Sequence, residues 1–350
     1  METEDRIRSF IQLGVYLRDY NDDPENLFFH PLAIAAQQAF TENPWFTSEH
    51  IKIALKSIGL SLEEQNLRQW LTPYLHQFSK IMKPGIIGVV MPGNIPAVGF
   101  HDFICVLISG NKIKLKLSSS DKCLLPEIAR MLVQIKPSWE SQIEFISGKL
   151  DNFDAVIATG SNNTSRYFEF YFGKYPNIIR KNRNSVAVLS GNESDSVLSG
   201  LASDIMLYFG LGCRSVSKLF IPVNYDFTKL KEALAPFSYL FGHNKYANNY
   251  DYQKSIFIIN KIPFIDTGFL LIREDRSLNS PLAVLNYQVY DHIEEVSEEI
   301  SSGLESIQCI VSDISLPFPT VLPGNAQFPA LWDYADHVDT LSFLLSCCSS

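Results

Sequence analysis

Short apolar runs, separated by turn residues and amphipathic stretches, recur along the middle of the chain. Residues 86–91 form a continuous apolar run rich in β-branched residues, which favours a strand buried on both faces of a sheet. Proline and glycine interrupt the run at 92–96, and residues 97–109 are then predicted to form an apolar helix. Further strands are predicted at 113–117, 142–146 and 154–158, and further helices at 122–134 and 165–172. Repeated strand–loop–helix order predicts right-handed crossovers and a mostly parallel sheet.

The alternation restarts near residue 184, which we take as a domain boundary. A strand at 185–189 is followed by a helix at 195–208, and an acidic helix is predicted at 291–301. Further strands are predicted at 218–222, 269–272, 283–287 and 308–311. Residues 1–80 have helical periodicity, and 317–350 are rich in proline and aromatic residues. We therefore predict that residues 1–184 form a helical segment and the first α/β domain, and that 185–316 form the second α/β domain. Residues 317–350 are predicted to form an extended C-terminal arm that packs on the first domain or on a partner subunit.

The overall composition excludes several classes of protein. A net charge of -9 argues against a nucleic-acid binder, which normally carries a basic face. The first residues are acidic where a secretory signal is basic and then apolar, and no apolar run reaches the ~20 residues that cross a bilayer. The six cysteines have no zinc-site spacing, so we predict no metal site. A reducing cytoplasm is the expected compartment.

Residues 208–217 (YFGLGCRSVS) carry the most distinctive candidate chemistry. Gly210 and Gly212 precede Cys213, between a predicted helix and a predicted strand. Glycines allow positive φ and close approach of a ligand to the backbone. A thiol at this place can attack an electrophile, and its own backbone N–H can donate to a developing oxyanion.

Four other residues follow predicted strands of the first domain: Asn94, Lys116, Gly160 and Ser161. Parallel sheets bind ligands beyond the carboxyl ends of their strands, so these residues are candidates for one site. A three-glycine dinucleotide fingerprint is absent, because Ser215 stands where its third glycine belongs and no strand precedes Gly210. Neither a P-loop nor a G-x-S-x-G elbow is present.

Together these motifs resemble the aldehyde dehydrogenase superfamily, and within it the acyl reductases typified by the LuxC fatty acyl reductases of bacterial luminescence. The resemblance runs from about residue 81 to the C-terminus. The motifs that carry it are VMPGNIP at 90–96, ATGSNNT at 158–164, FGLGC at 209–213 and LWDYAD at 331–336. It implies an aldehyde dehydrogenase-like α/β fold with two Rossmann-like parallel-sheet domains, in which 1–184 holds the dinucleotide and 185–316 carries the catalytic cysteine.

The resemblance also implies roles for individual residues. Cys213 would be the acyl-accepting nucleophile, and Asn94 would donate its side-chain N–H to the oxyanion. Lys116 would contact the adenosine ribose, and Gly160 and Ser161 would lie against the pyrophosphate and nicotinamide. The full set of implied cofactor-binding residues is Pro92, Lys116, Ser118, Gly160 and Ser161. The implied function is reduction of an acyl thioester to an aldehyde, through a cysteine acyl-enzyme and hydride transfer.

Two departures from the superfamily bear on the reaction. Oxidising members have a glutamate that activates water, and in the strand at 185–191 we expect Val188 or a neighbour at that position, with Glu193 as a displaced alternative. A missing carboxylate favours transfer to a thiol over hydrolysis. The acidic residue that favours NAD in many relatives is replaced by serines at 118–120, which leave room for a 2′-phosphate. NADPH is therefore the expected cofactor, with NADH as the alternative.

Arg180, Lys181 and Arg183 form the densest basic cluster of this acidic chain and, with Arg214, are candidates for binding substrate or cofactor phosphates; a solvated loop is the alternative. The expected acyl donor is acyl-CoA or an acylated partner protein, as in complexes with an acyl-protein synthetase. Homo-oligomerisation stays open. Two rival functions remain: a semialdehyde or short-chain aldehyde dehydrogenase, and an acyl carrier or acyltransferase that uses Cys213 without redox chemistry.

Overall fold

A computed structural model describes residues 1–20, 30–78 and 84–347. The first residues of the family-like region, 81–83, lie outside this part. The chain divides into two compact units. Unit 1 comprises Met1–Asn182 together with Ala330–Ser350, and unit 2 comprises Arg183–Pro329.

Unit 1 contains a five-stranded parallel sheet. Its strands are β1 (Ile86–Val90), β2 (Lys112–Lys116), β3 (Ile143–Phe145), β4 (Ala155–Thr159) and β5 (Asn177–Arg180). Their order is β3-β2-β1-β4-β5. The chain therefore adds strands on one side of β1 and then crosses to β4 on the other. Such a reversal leaves a crevice at the carboxyl ends of the two strands, here β1 and β4, where ligands bind in open α/β sheets.

Helices surround this sheet. They are α1 (Thr3–Arg18), α2 (His30–Glu42), α3 (Ser48–Ser61), α4 (Glu64–Leu71), α5 (Leu75–Phe78), α6 (Phe100–Ile108), α7 (Leu124–Ile135) and α8 (Asn162–Phe172). In α6 every residue except His101 is buried, which explains its nearly continuous apolar sequence. Gly88 has no room for a side chain, because an added Cβ would lie 3.0 Å from the Leu150 side chain. The core therefore fixes β1 and α6, the two elements that flank Asn94.

Unit 2 contains a six-stranded sheet of order β11-β6-β7-β10-β9-β8, parallel except for the β8–β9 pair. Its strands are β6 (Asn184–Val188), β7 (Val216–Pro222), β8 (Ile265–Asp266), β9 (Leu271–Glu274), β10 (Val284–Tyr290) and β11 (Ile307–Val311). Its helices are α9 (Asp195–Met206), α10 (Phe227–Leu234), α11 (Asn244–Ile259) and α12 (Ile293–Gly303). Shorter 3-10 turns occur at Thr72–Tyr74, Pro137–Gln142, Leu207–Gly210, Ala235–Gly242, Leu304–Ser306 and Ala335–His337.

The last residues of the chain return to unit 1 and end in α13 (Thr340–Ser346). Trp70 Nε1 donates to the Tyr334 hydroxyl at 2.7 Å, and that hydroxyl lies 3.0 Å from the hydroxyl of Tyr74. Tyr74 in turn donates to Asp339 Oδ2 at 2.8 Å. This chain of hydrogen bonds joins the C-terminal segment to α4 and to the turn that follows it.

The predicted fold class is confirmed: the molecule is α/β, with parallel Rossmann-like sheets. Three elements were not predicted from the sequence: β5 at 177–180, where we noted only a basic run, and helices α10 and α11. The C-terminal arm was expected to pack on the first domain or on a partner subunit. Residues 330–350 do belong to unit 1 and contain the helix α13, whereas 317–329 belong to unit 2. Within the part of the chain described, no helix is both long and apolar enough to cross a membrane.

Candidate active site

The loop after β1 carries Asn94, which is exposed. Gly93 lies against the turn that follows β2, since an added Cβ would be 2.5 Å from Ser118 Oγ. Further along, Ala97 adopts a left-handed conformation, with φ of 52°. Non-glycine residues rarely hold such a conformation unless their surroundings impose it. The loop that presents Asn94 is therefore held in a defined shape.

Asp121 holds the same loop from a buried position, through a hydrogen bond to its backbone. Its Oδ2 accepts the backbone N–H of Ala97 at 2.9 Å, and the residue is only 6% exposed. Burial raises the pKa of Asp121 to about 6, against the smaller opposing effect of the backbone N–H groups of Ala97 and Leu124. This carboxyl therefore faces the interior rather than the surface of the turn at 118–120.

Lys116 ends β2 beside this loop. It pairs in register with Val90, and its backbone carbonyl accepts the N–H of Met91 at 2.9 Å. Its Nζ donates to the carbonyl of Gly148. Ser118 Oγ accepts the N–H of Ser120 at 3.2 Å and so shapes the turn. An ammonium and a hydroxyl thus follow β2, immediately next to the loop after β1.

Gly160 and Ser161 follow β4, on the other side of the crevice. Ser161 caps α8, because its Oγ accepts the N–H of Thr164 at 3.2 Å. Gly160 packs so tightly that an added Cβ would lie 2.9 Å from Phe168 and 3.0 Å from Thr164. A glycine turn that leads into a helix N-terminus suits a phosphate, since backbone N–H groups and the helix dipole point there.

Cys213 lies in unit 2, after a run of left-handed residues. Tyr208, Phe209 and Gly210 have φ values of 55°, 59° and 73°. Phe209 packs on His243 and Tyr246, with ring centroids 4.7 and 5.7 Å away, so aromatic packing holds the strained turn. Of the two glycines before Cys213, Gly210 alone has a positive φ.

Hydrogen bonds fix the backbone around Cys213 on both sides. Ser185 Oγ donates to the carbonyl of Cys213 at 2.9 Å. Ser215 Oγ accepts the N–H of Gly212 at 3.2 Å and a hydrogen bond from Gln327 Nε2 at 3.1 Å. Among the cysteines of the described residues, Cys213 alone is exposed; the others are buried or half-buried.

Asp204 holds the segment that supports this loop. The residue is fully buried, and its two carboxylate oxygens accept the N–H groups of Gly324 at 2.6 Å and Ala326 at 3.0 Å. The carbonyl of Ala326 accepts Arg214 Nε at 3.1 Å. Burial raises the pKa of Asp204 to about 6, although these backbone N–H groups act to lower it. Residues 324–327 thus connect the end of α9 to the cysteine loop.

Unit 1 thus has a parallel sheet with an asparagine and a glycine–serine turn at its switch point, and unit 2 has an exposed cysteine on a fixed loop. The model of the family described as acyl-CoA reductase (LuxC) matches residues 35–237, more than half of the chain. The chain belongs to the LuxC acyl-CoA reductase family.

Solved structures of aldehyde dehydrogenases are similar to this LuxC family member. An NAD⁺ complex of the Bacillus cereus enzyme has a TM-score of 0.62 at 15% identity, over 89% of this chain and 72% of that one. Aldehyde dehydrogenase 21 of Physcomitrella patens, in complex with succinate, has a TM-score of 0.62 at 12% identity, over 90% and 74%. Aldehyde dehydrogenase C of Pseudomonas syringae, with NAD⁺ and octanal, has a TM-score of 0.63 at 11% identity, over 89% and 72%.

These likenesses establish an aldehyde dehydrogenase-like fold. No curated protein matches the chain. Together, the LuxC family and the fold make the protein an oxidoreductase that acts on aldehyde or acyl groups. Within the residues described, no cluster of histidine, cysteine or carboxylate side chains could hold a metal ion.

The expectation about a water-activating carboxylate stays a prediction. Val188 is buried at the carboxyl end of β6, whereas Ser185, which bonds Cys213, lies near its amino end. Glu193 accepts hydrogen bonds from the N–H and Oγ of Ser190 and from the N–H of Gly191. The Glu193 carboxylate is thus held within its own turn.

The basic cluster does not form one surface. Arg180 is buried and pairs with Asp102 at 2.5 Å, so its guanidinium is not available to a phosphate. Lys181 is half exposed and pairs with Glu169 at 2.8 Å. Arg183 NH1 donates to the carbonyl of Ile307 at 3.3 Å.

Several residues that shape the site were not found from the sequence: Asp102, Asp121, Ser185, Asp204 and Gln327. All of them lie inside the units. Asp121, Ser185 and Asp204 bond backbone groups of other segments. Asp102 pairs with Arg180, and Gln327 donates to the Ser215 side chain, both far along the chain. A single acidic or polar residue inside an apolar pattern was the only available signal, as in the FHDFICVLI sequence of α6. Such a residue cannot be assigned a partner before the fold is known.

Proposed function

We propose that this protein reduces an acyl thioester to the aldehyde, with NADPH as the reductant and Cys213 as the acyl-accepting nucleophile. The observation that carries the proposal is the exposed thiol of Cys213 on a loop held by Ser185, Ser215 and Gln327. A nucleophile fixed in advance loses little further freedom when it attacks. Membership of the acyl-CoA reductase family supports a thioester as the substrate.

The reaction begins when the Cys213 thiolate attacks the thioester carbonyl carbon. The oxyanion that forms would accept hydrogen bonds from the Asn94 side chain and the Cys213 backbone N–H, a stabilisation typically worth ~2.7–4 kcal/mol per donor. The oxyanion then collapses, the bond to the departing thiol breaks, and that thiolate takes a proton. Cys213 is left holding the acyl group.

A reduced nicotinamide, when bound in the crevice of unit 1, would supply the hydride that the acyl carbon accepts. The resulting hemithioacetal on Cys213 collapses, which releases the aldehyde and regenerates the Cys213 thiolate. The same donors, Asn94 and the Cys213 N–H, would stabilise the second oxyanion. No water enters the balance of either half-reaction.

The crevice of unit 1 fits a dinucleotide. Gly93 and Gly160 pack closely on Ser118 and Phe168, which holds the two loops beside the crevice, and α8 begins directly after Ser161. In the proposal Pro92, Lys116 and Ser118 bind the adenosine side. The small side chain of Ser118 leaves space for a 2′-phosphate, while the next acid along the chain, Asp121, is turned inward to Ala97. These features support NADPH over NADH.

The acyl donor in this proposal is acyl-CoA or an acylated partner protein of the acyl-protein synthetase kind. Arg214 and Arg183 each donate to a backbone carbonyl and stay candidates for the phosphates of the substrate. Lys181 is the exposed cation of the cluster. Neutralising Lys181 should therefore raise the KM for acyl-CoA more than it lowers kcat.

The test is turnover of acyl-CoA substrates of increasing chain length with NADPH and with NADH, with the aldehyde trapped and quantified. We expect aldehyde and oxidised NADPH in equal amounts, and no turnover by Cys213→Ala. Cys123→Ser is the matched control, because Cys123 is half-buried at the start of α7 and should leave turnover unchanged. Acylation of the protein without oxidation of either dinucleotide would instead identify an acyl carrier.

A further inference from the structure

Arg180 connects three segments inside unit 1. It is the last residue of β5 and is 4% exposed. Its NH1 donates to Asp102 Oδ2 at 2.5 Å, and its NH2 donates to Thr340 Oγ1 at 2.9 Å. Its backbone carbonyl accepts the N–H of Gly160 at 3.3 Å. One buried residue thus contacts the first turn of α6, the start of α13 and the loop after β4.

Two of these segments border the crevice. Asp102 lies in the first turn of α6, the helix that the Asn94 loop enters. Gly160 begins the glycine–serine turn after β4, the strand next to β1. The contacts of Arg180 therefore reach the loop on each side of the switch point.

The pair is costly for a purely structural element. Taking two charges out of water is unfavourable, and well-packed apolar residues often serve stability equally well or better. In addition, Arg180 Nε, Asp102 Oδ1 and Thr159 Oγ1 are buried without hydrogen-bond partners, and Thr159 is the register partner of Arg180 on β4. Unsatisfied buried polar atoms reduce stability. This arrangement indicates a role in placing the loops rather than in stabilising the fold.

We propose that Arg180 and Asp102 are positioning residues, whose ion pair holds the Asn94 loop and the Gly160–Ser161 turn at the spacing that a bound dinucleotide requires. This inference rests on the proposed function, since the dinucleotide and the role of Asn94 belong to that proposal. It assigns to Arg180 a place behind the crevice instead of direct contact with substrate phosphates.

Amide hydrogen exchange tests the positioning without any ligand. The variants are Arg180→Met, Arg180→Lys and the double variant Arg180→Met/Asp102→Leu, which removes both buried charges and so avoids leaving one unpaired. In Arg180→Met and the double variant we expect exchange to accelerate at least fivefold in peptides covering residues 92–99 and 159–165. The control is Leu132→Ala, which opens a cavity on the fully buried face of α7 and should not accelerate these two loops selectively.

Kinetics provide the second readout. At a temperature where every variant is folded, the double variant should lose at least tenfold in kcat/KM for the dinucleotide, whereas Leu132→Ala should stay within twofold of the wild type. Arg180→Lys, which retains the charge, should recover most of the loss. Wild-type exchange in both loops together with wild-type kcat and KM in the double variant would overturn the inference. A wild-type enzyme that turns over no acyl thioester would count against the proposed function, while the exchange experiment would still decide the positioning.

Discussion

Asp121 shows how a single side chain outside the site can control the residue that acts in it. Its Oδ2 holds the N–H of Ala97, three residues after Asn94, while its Oδ1 is buried without a hydrogen-bond partner. A protonated carboxyl meets this environment better than a carboxylate does, because burial disfavours the charge more than the N–H groups of Ala97 and Leu124 favour it. The pKa of about 6 expresses that preference.

The stability of unit 1 should therefore depend on pH through Asp121. Because the folded-state pKa lies above the ordinary 3.8, the contribution is complete below about pH 4 and is lost as the pH rises through 6. A difference of about two pH units corresponds to about 3 kcal/mol. We expect Asp121→Asn to raise the free energy of unfolding at pH 7.5 by up to that amount and to flatten its fall between pH 4 and 6.

Tryptophan fluorescence during urea unfolding measures this effect, because all four tryptophans lie in unit 1. The control is Asp151→Asn, at an exposed position of the same unit, which should leave the pH profile unchanged. If Asp121→Asn instead lowers the free energy of unfolding and leaves its dependence on pH as in the wild type, Asp121 is ionised and stabilising in the folded protein.

At the scale of elements, the regular strands and helices could be predicted from the sequence, whereas the conformations of the turns that position the functional groups could not. The apolar run of β1 and the periodicity of α7 gave boundaries within two residues of those observed. Nothing local indicates that Tyr208 and Phe209 are left-handed, since the packing of Phe209 on α11 is a contact with a distant part of the chain. The position of Arg180 at the end of a strand also could not be predicted, because its partners, Asp102 and Thr340, lie far away along the chain.

Gly210 and Gly212 provide a matched pair for the cysteine loop. Gly210 has φ of 73°, and an added Cβ would lie 3.2 Å from the carbonyl oxygen of Ile205. Gly210→Ala should cost about 1–2 kcal/mol of the stability of unit 2 through left-handed strain. Gly212 lacks positive φ, and its added Cβ would meet only side-chain atoms at 3.3 and 3.4 Å, so Gly212→Ala should cost less.

Hydrogen exchange in peptides covering residues 204–216 distinguishes the two variants. Faster exchange is expected for Gly210→Ala, together with slower acylation of Cys213. Equal effects of the two substitutions would mean that lack of space, and not backbone conformation, selects glycine in this loop.

At the scale of the whole molecule, the sequence predicted the fold class through its family motifs and a C-terminal arm that packs on the first domain or on a partner subunit. It could not predict which residues attach that arm. Residues 330–350 follow unit 2 along the chain and yet belong to unit 1. Their attachment depends on Tyr334, Asp339 and Thr340, whose partners lie more than 150 positions earlier. No local pattern encodes such pairs.

Tyr334→Phe should weaken unit 1 and leave unit 2 unaffected. The substitution removes the hydroxyl that accepts a hydrogen bond from Trp70 Nε1 and lies next to the hydroxyl of Tyr74. Because Trp70 and Tyr74 are both buried, the loss should lower the free energy of unfolding of unit 1 by about 1–3 kcal/mol. The tryptophan transition should move to lower urea, while hydrogen exchange in β6, β7 and β11 stays unchanged. Tyr252→Phe, at an exposed position of α11, is the control. Faster exchange in those strands would show instead that the C-terminal segment also supports unit 2.

Acylation of Cys213 is the central claim, and mass spectrometry after brief mixing with an acyl-CoA measures it most directly. We expect one acyl group per chain, located on the peptide that contains Cys213, and we expect it to leave as the aldehyde once NADPH is added. An acyl group on any other residue, or turnover by Cys213→Ala at the wild-type rate, would contradict the account.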